Sequence, residues 1–107
     1  TLTKAVQQYP DIKAVFIPNS RVFLFADFIE KKGFKGYFVV GYDSIVKNIK
    51  HLKRGNISFL ICQKPELQAY QAIMALFDHL LTGQEINRTH YSPIDIINKE
   101  NMMYYIK

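Results

Sequence analysis

A single cysteine in 107 residues excludes a disulfide framework. Cys62 closes an apolar run, Ile57 to Cys62, and reads as a core residue compatible with a reducing compartment. No apolar stretch approaches the roughly 20 residues that cross a bilayer. Glycine is scarce, and no Gly-rich loop ends in Lys to cradle a phosphate. Ser20, Ser44 and Ser58 stand in no Gly-x-Ser-x-Gly elbow. His51, His79 and His90 lack the spacing of metal ligands. A phosphoacceptor domain built on Asp43 would need an acidic pair after the first strand, where only Asn19 and Ser20 occur. The chain is therefore not expected to be an enzyme, and no residue suggests a cofactor. It also lacks an initiator Met, so we expect a piece of a longer protein.

What is present fits one small globular domain. Hydrophobic residues make up 49% and charged residues 21%, enough for one core with a solvated surface. The net charge of +5 has a local cluster at Lys47, Lys50, His51, Lys53 and Arg54. With no aromatic residues interleaved for base stacking, the cluster reads as a solvated helix end with cations near a C-terminus, not as a nucleic-acid patch.

Along the chain, helical and extended patterns alternate. Leu2, Ala5, Val6 and Tyr9 share one helical face before Pro10. Ile12 to Ile17 reads as a strand, broken by Pro18-Asn19-Ser20, where Asn19 or Ser20 can cap a helix. From Arg21 to Lys32 the apolar stripe of Val22, Phe25, Ala26 and Ile29 is widened by Leu24 and Phe28 and predicts a helix buried on more than one side. Tyr37 to Gly41 lacks polar alternation and predicts a strand covered on both faces. Asp43-Ser44 reads as a cap for a short helix with Ile45, Val46, Ile49 and Leu52 inward. Ile57 to Cys62 is a third strand, and Glu66 to Leu81 the longest helix. Tyr91 to Ile97 is extended but carries Pro93, which suits an edge. Met102 to Ile106 is expected to form a last strand. This α-β alternation predicts an α/β, three-layer fold, a mainly parallel sheet with flanking helices.

In open α/β sheets ligands bind beyond the carboxyl ends of the strands. Three strands lead there into polar residues: Asn19, Asp43 and Gln63. Two amides and one carboxylate suit a neutral polyol, the carboxylate accepting from paired hydroxyls and the amides bridging others. Taken singly, Asn19 and Asp43 read equally well as helix caps and Gln63 as a loop residue. Their convergence on one edge carries the functional reading.

Several of these stretches resemble a known family. Ala14-Val-Phe-Ile-Pro-Asn-Ser20, Gly36-Tyr-Phe-Val-Val-Gly-Tyr-Asp43, Ile57-Ser-Phe-Leu-Ile-Cys-Gln-Lys-Pro65 and Gln68-Ala-Tyr-Gln-Ala72 are similar to the C-terminal part of the effector-binding module of lactose-repressor (LacI) family regulators. That module has the type I periplasmic sugar-binding fold. Leu52-Lys-Arg-Gly-Asn-Ile57 with the following Gln-x-Pro-x-x-Gln-x-Tyr most resembles a Bacteroides-type subgroup. The resemblance implies a partial type I periplasmic-binding-protein-like lobe, covering less than half of such a module. It implies ligand-binding roles for Asn19, Asp43 and Gln63, while Ser20 departs from the family's usual Asp.

The resemblance further implies a sugar effector, a cytoplasmic homodimer, no membrane partner, and DNA contact only through a domain absent from this chain. Residues 1–62 and about 91–107 would belong to the C-terminal lobe. The helix at about 66–81 would pack on the missing N-terminal lobe or on another copy. An extracytoplasmic sugar-binding protein of the same fold, for transport or chemosensing, is the alternative.

Overall fold

A computed structural model of the chain describes residues 1–106. Its elements follow the order α1 (Leu2–Gln8), β1 (Ala14–Phe16), α2 (Val22–Lys32), β2 (Phe38–Tyr42), α3 (Val46–Arg54), β3 (Phe59–Cys62), α4 (Pro65–Thr82) and β4 (Asp95–Ile97). A turn of 3-10 helix, Met102–Tyr104, follows. The tail is thus not the strand expected of it. Asn98 and Asn101 decide this locally: Asn98 Oδ1 accepts from the Glu100 and Asn101 amides, and Asn101 Oδ1 accepts from the Asn98 amide. These side chains supply a turn with the bonds a sheet would otherwise provide.

The strands form one sheet in the order β1-β2-β3-β4. β1 and β2 pair in parallel, with Val15 opposite Val39; β2 and β3 pair in parallel, with Gly41 opposite Leu60. The described residues form two compact units, residues 1–62 with 96–106, and residues 63–95.

In the first unit the register sorts the side chains. Val15, Val39, Gly41, Leu60 and Cys62 share one sheet face. The core forms there from Val39, Leu60 and Cys62 with Val22, Phe25, Ala26 and Ile29 of α2, Leu52 of α3, Ile57 and Ile97. The opposite face carries Phe16, Phe38, Val40, Tyr42 and Phe59. Phe16 and Phe38 are exposed there, although rings pair across it, Phe38 with Phe59 at 5.4 Å and Phe16 with Tyr42 at 5.8 Å. β2 is therefore buried on alternate residues, not on both faces as its unbroken apolar run predicted. The same correction applies to α2: Leu24 is 52% exposed, so that helix buries one stripe.

Gly41 is where α2 comes nearest to the sheet. A Cβ built on it would lie 2.4 Å from the Val22 Cβ. At the far end of α2, Gly33 takes a left-handed φ of 71°, and its N–H closes back on the carbonyls of Ile29 and Glu30.

α3 turns differently from the expectation. Ile45 and Val46 are exposed, and the buried positions are Asn48, His51 and Leu52. His51 is not part of a solvated basic end. Its Nε2–H donates to Asp27 at 2.7 Å, while Asn56 Nδ2 donates to its Nδ1 at 3.0 Å and also reaches Glu30. Two polar residues can face inward because each finds partners there.

In the second unit α4 begins at Pro65, after Lys64 in a left-handed conformation, and closes at Gly83. None of its residues is buried; Tyr70, Ile73, Phe77, Leu80 and Leu81 are all more than half exposed. Lys64 Nζ pairs with Asp95 at 2.9 Å, joining the two ends of this unit. No helix of the described residues is long and apolar enough to cross a membrane.

Candidate functional site

The carboxyl edge of the first unit is built by two loops. The first leaves β1 through Ile17, whose N–H still reaches the Val40 carbonyl at 2.9 Å. It then turns at Pro18-Asn19-Ser20. Asn19 is exposed, and its Oδ1 accepts from the Arg21 amide at 2.8 Å. This bond closes a turn ahead of α2 rather than capping the helix, and it leaves the side-chain NH2 available. Neither Asn19 nor Ser20 stands at the N-cap position itself, which is Arg21.

The second loop leaves β2 at Tyr42. Asp43 extends the ladder by one bond, its N–H donating to the Ile61 carbonyl at 2.9 Å. Its φ is 70°, a conformation uncommon outside glycine and tolerated best by Asn and Asp. Asp43 does not cap α3; the residue there is the extended Ile45, without a side-chain bond. Asp43 is half-buried, and its carboxylate makes no hydrogen bond or ion pair among the described residues. Asp43 thus combines a left-handed backbone with a carboxylate that no hydrogen bond or ion pair among the described residues uses.

β1, β2 and β3 are parallel neighbours, so their chains leave on the same side of the sheet. Asn19 and Asp43 lie in the first unit. Gln63 follows β3 directly and opens the second unit, where it is exposed and its carbonyl accepts from Gln68 Nε2.

The residue that the sequence reading missed is Asn48. It is wholly buried, and its Nδ2 lies 3.0 Å from the Ser20 carbonyl, 3.0 Å from that of Tyr42 and 2.9 Å from that of Asp43. Its signal was there to find: Asn48 falls four residues before Leu52, a polar side chain on the face of a short helix that carries that leucine.

The first unit has a parallel sheet with helices packed on it, and no cluster of His, Cys, Asp or Glu that could hold a metal ion occurs among the described residues. Residues 1–85 match the periplasmic binding protein domain family, and the chain belongs to that family. It is 32% identical over 92 residues to the ribose import binding protein RbsB of Bacillus subtilis, covering 85% of this chain and 30% of that protein. A protein provisionally assigned as a LacI transcriptional regulator, from Bacteroides fragilis, superposes with a TM-score of 0.91 at 37% identity, over 98% of this chain and 36% of that one. A solute-binding protein of Actinobacillus succinogenes with bound D-allose gives 0.86 at 27% identity, over 96% and 36%. The chain thus spans about a third of the length of these relatives. They are binding proteins and an assigned regulator, not enzymes, in keeping with the sequence reading.

Proposed function

We propose that this chain is part of the sugar-sensing module of a LacI-family-like transcriptional regulator. Residues 1–62 and about 91–107 belong to its C-terminal lobe. Asn19, Asp43 and Gln63 contact a monosaccharide, and ligand closes two lobes about the crossing near Gln63. Lobe closure shifts the population of DNA-binding arrangements in a domain outside this chain, within a cytoplasmic homodimer.

The observation that carries the sugar reading is half-buried Asp43, just beyond a parallel strand, with a carboxylate unpaired among the described residues. It is supported by relatives that bind or import sugars. The regulator reading is supported by the Bacteroides relative, which matches at 37% identity. Extracytoplasmic sugar binding for transport is the second reading, favoured by the similarity to a ribose import protein.

The test is calorimetry on the protein that carries this chain, with D-ribose, D-allose and D-tagatose as probes. Asp43→Ala should leave the fold intact and weaken binding by about 10- to 100-fold, the loss of one charge-assisted hydrogen bond worth about 1.5–3 kcal/mol. Unchanged affinity would remove Asp43 from the site. The coding sequence upstream of Thr1 separates the two readings: a helix-turn-helix supports the regulator, and a signal segment supports transport.

A further inference from the structure

The Asn48 amide joins the two loops that carry the candidate ligand groups. One of its acceptors, the Ser20 carbonyl, is in the loop of Asn19; the other two are those of Tyr42, the last residue of β2, and Asp43, which opens the loop that presents the carboxylate. The side chain is 0% exposed, so no solvent competes for these bonds. Its orientation follows from chemistry. The Nδ2 group meets three carbonyl oxygens, and a flipped amide would set its own oxygen against all three. The opposite atom, Oδ1, is buried and finds no partner among the described residues. A buried acceptor left unpaired is disfavoured, and a leucine of similar size would avoid it. What asparagine supplies and leucine cannot is a donor to both loops at once.

We propose that Asn48 is the positioning residue of the ligand site, fixing Asp43 in its left-handed conformation and locking the Asn19 loop to the Asp43 loop. Without it, α3 and the core still hold, through Leu52, Ile57 and Leu60. The two loops, however, lose the only side-chain bonds among the described residues that link them. The ligand part of this assignment rests on the sugar-site reading; the geometric part does not.

Amide hydrogen exchange separates the two. In Asn48→Leu, the Asp43 amide should exchange at least ten times faster than in the wild-type chain, while the core amides of Val39 and Leu60 keep their protection. An Asp43 rate unchanged in Asn48→Leu, or one that rises only in step with the core amides, overturns the proposal, because purely structural damage would release all of them together. Asn48→Asp places an acceptor where the donor was and should be at least as severe as Asn48→Leu; wild-type behaviour of that variant would refute the donor role. Should either variant not fold, the wild-type chain answers alone: the Asn48 side-chain NH2 protons should exchange slowly by NMR, and exchange at the free-amide rate overturns the assignment.

Calorimetry with the same three sugars then reads the functional part. Asn48→Leu should lose at least tenfold in affinity while its core amides stay protected; full affinity overturns the positioning role. If the wild-type protein binds none of the sugars, the sugar-site reading falls, and the exchange rates still decide whether Asn48 positions the loops.

Discussion

Gly41→Ala tests the packing that puts Asp43 where it is. The added Cβ would meet the Val22 Cβ at 2.4 Å and its two Cγ atoms at 2.5 and 2.7 Å. Carbon atoms rest at about 3.5–4.0 Å, so α2 or β2 must give by roughly 1 Å or more. Neither yields easily, because Val22 is 0% exposed and its helix is pinned by Phe25, Ala26 and Ile29 in the same core. Overpacking of a filled core costs about 1–3 kcal/mol, and three simultaneous clashes place this substitution at the top, about 3 kcal/mol. For a unit of this size each kcal/mol moves the melting temperature by about 4–8 °C, giving a fall of roughly 12–24 °C.

The assay is thermal and urea unfolding of the chain, run as a cycle with Val22→Gly. That second change removes all three clashing carbons. In its background Gly41→Ala should cost under about 1 kcal/mol, a coupling of about 2 kcal/mol between residues in direct contact. Val22→Gly is itself destabilised by several kcal/mol, so the cycle is measured in sucrose. A Gly41→Ala variant within about 0.5 kcal/mol of wild type would refute the reasoning. So would an equal cost in both backgrounds.

Other consequences follow from the polar contacts and the second unit. Asp27→Ala leaves the buried Nε2–H of His51 without its acceptor and should cost about 1–2 kcal/mol in urea unfolding, whereas Asp27→Asn, which keeps an acceptor oxygen, should recover most of that. Arg54 and Glu30 pair at 3.1 Å with both side chains exposed, so Arg54→Ala should cost no more than about 1 kcal/mol and less in high salt. The exposed apolar stripe of α4 should drive self-association of the chain, and Phe77→Lys with Leu80→Lys should shift it to monomer by light scattering. A wild-type chain that stays monomeric at every concentration would remove the homodimer from the reading.

Element order and, the tail apart, element type were legible because each segment announces its own period and its own stop. Lys31-Lys32-Gly33 ends α2 and Pro65 starts α4 from local backbone chemistry, whatever lies nearby. Burial was less legible, for a reason the second unit and the open sheet face share. Phe16, Phe38, Tyr70, Ile73 and Leu80 are apolar enough to be core, and a sequence states that they need cover without stating what provides it. The α3 face failed for the opposite reason. Hydropathy ranked Ile45 and Val46 above Asn48 and His51, yet polar side chains can face inward where their donors find acceptors within reach. Those acceptors, the carbonyls of Ser20, Tyr42 and Asp43 and the carboxylate of Asp27, come from two loops and another helix, 5 to 28 residues away. The position of Asp43 just past β2 was legible in the sequence because it depends only on where one strand stops. How it is held was not, because that depends on three segments meeting at Asn48, and no window of the sequence contains all three.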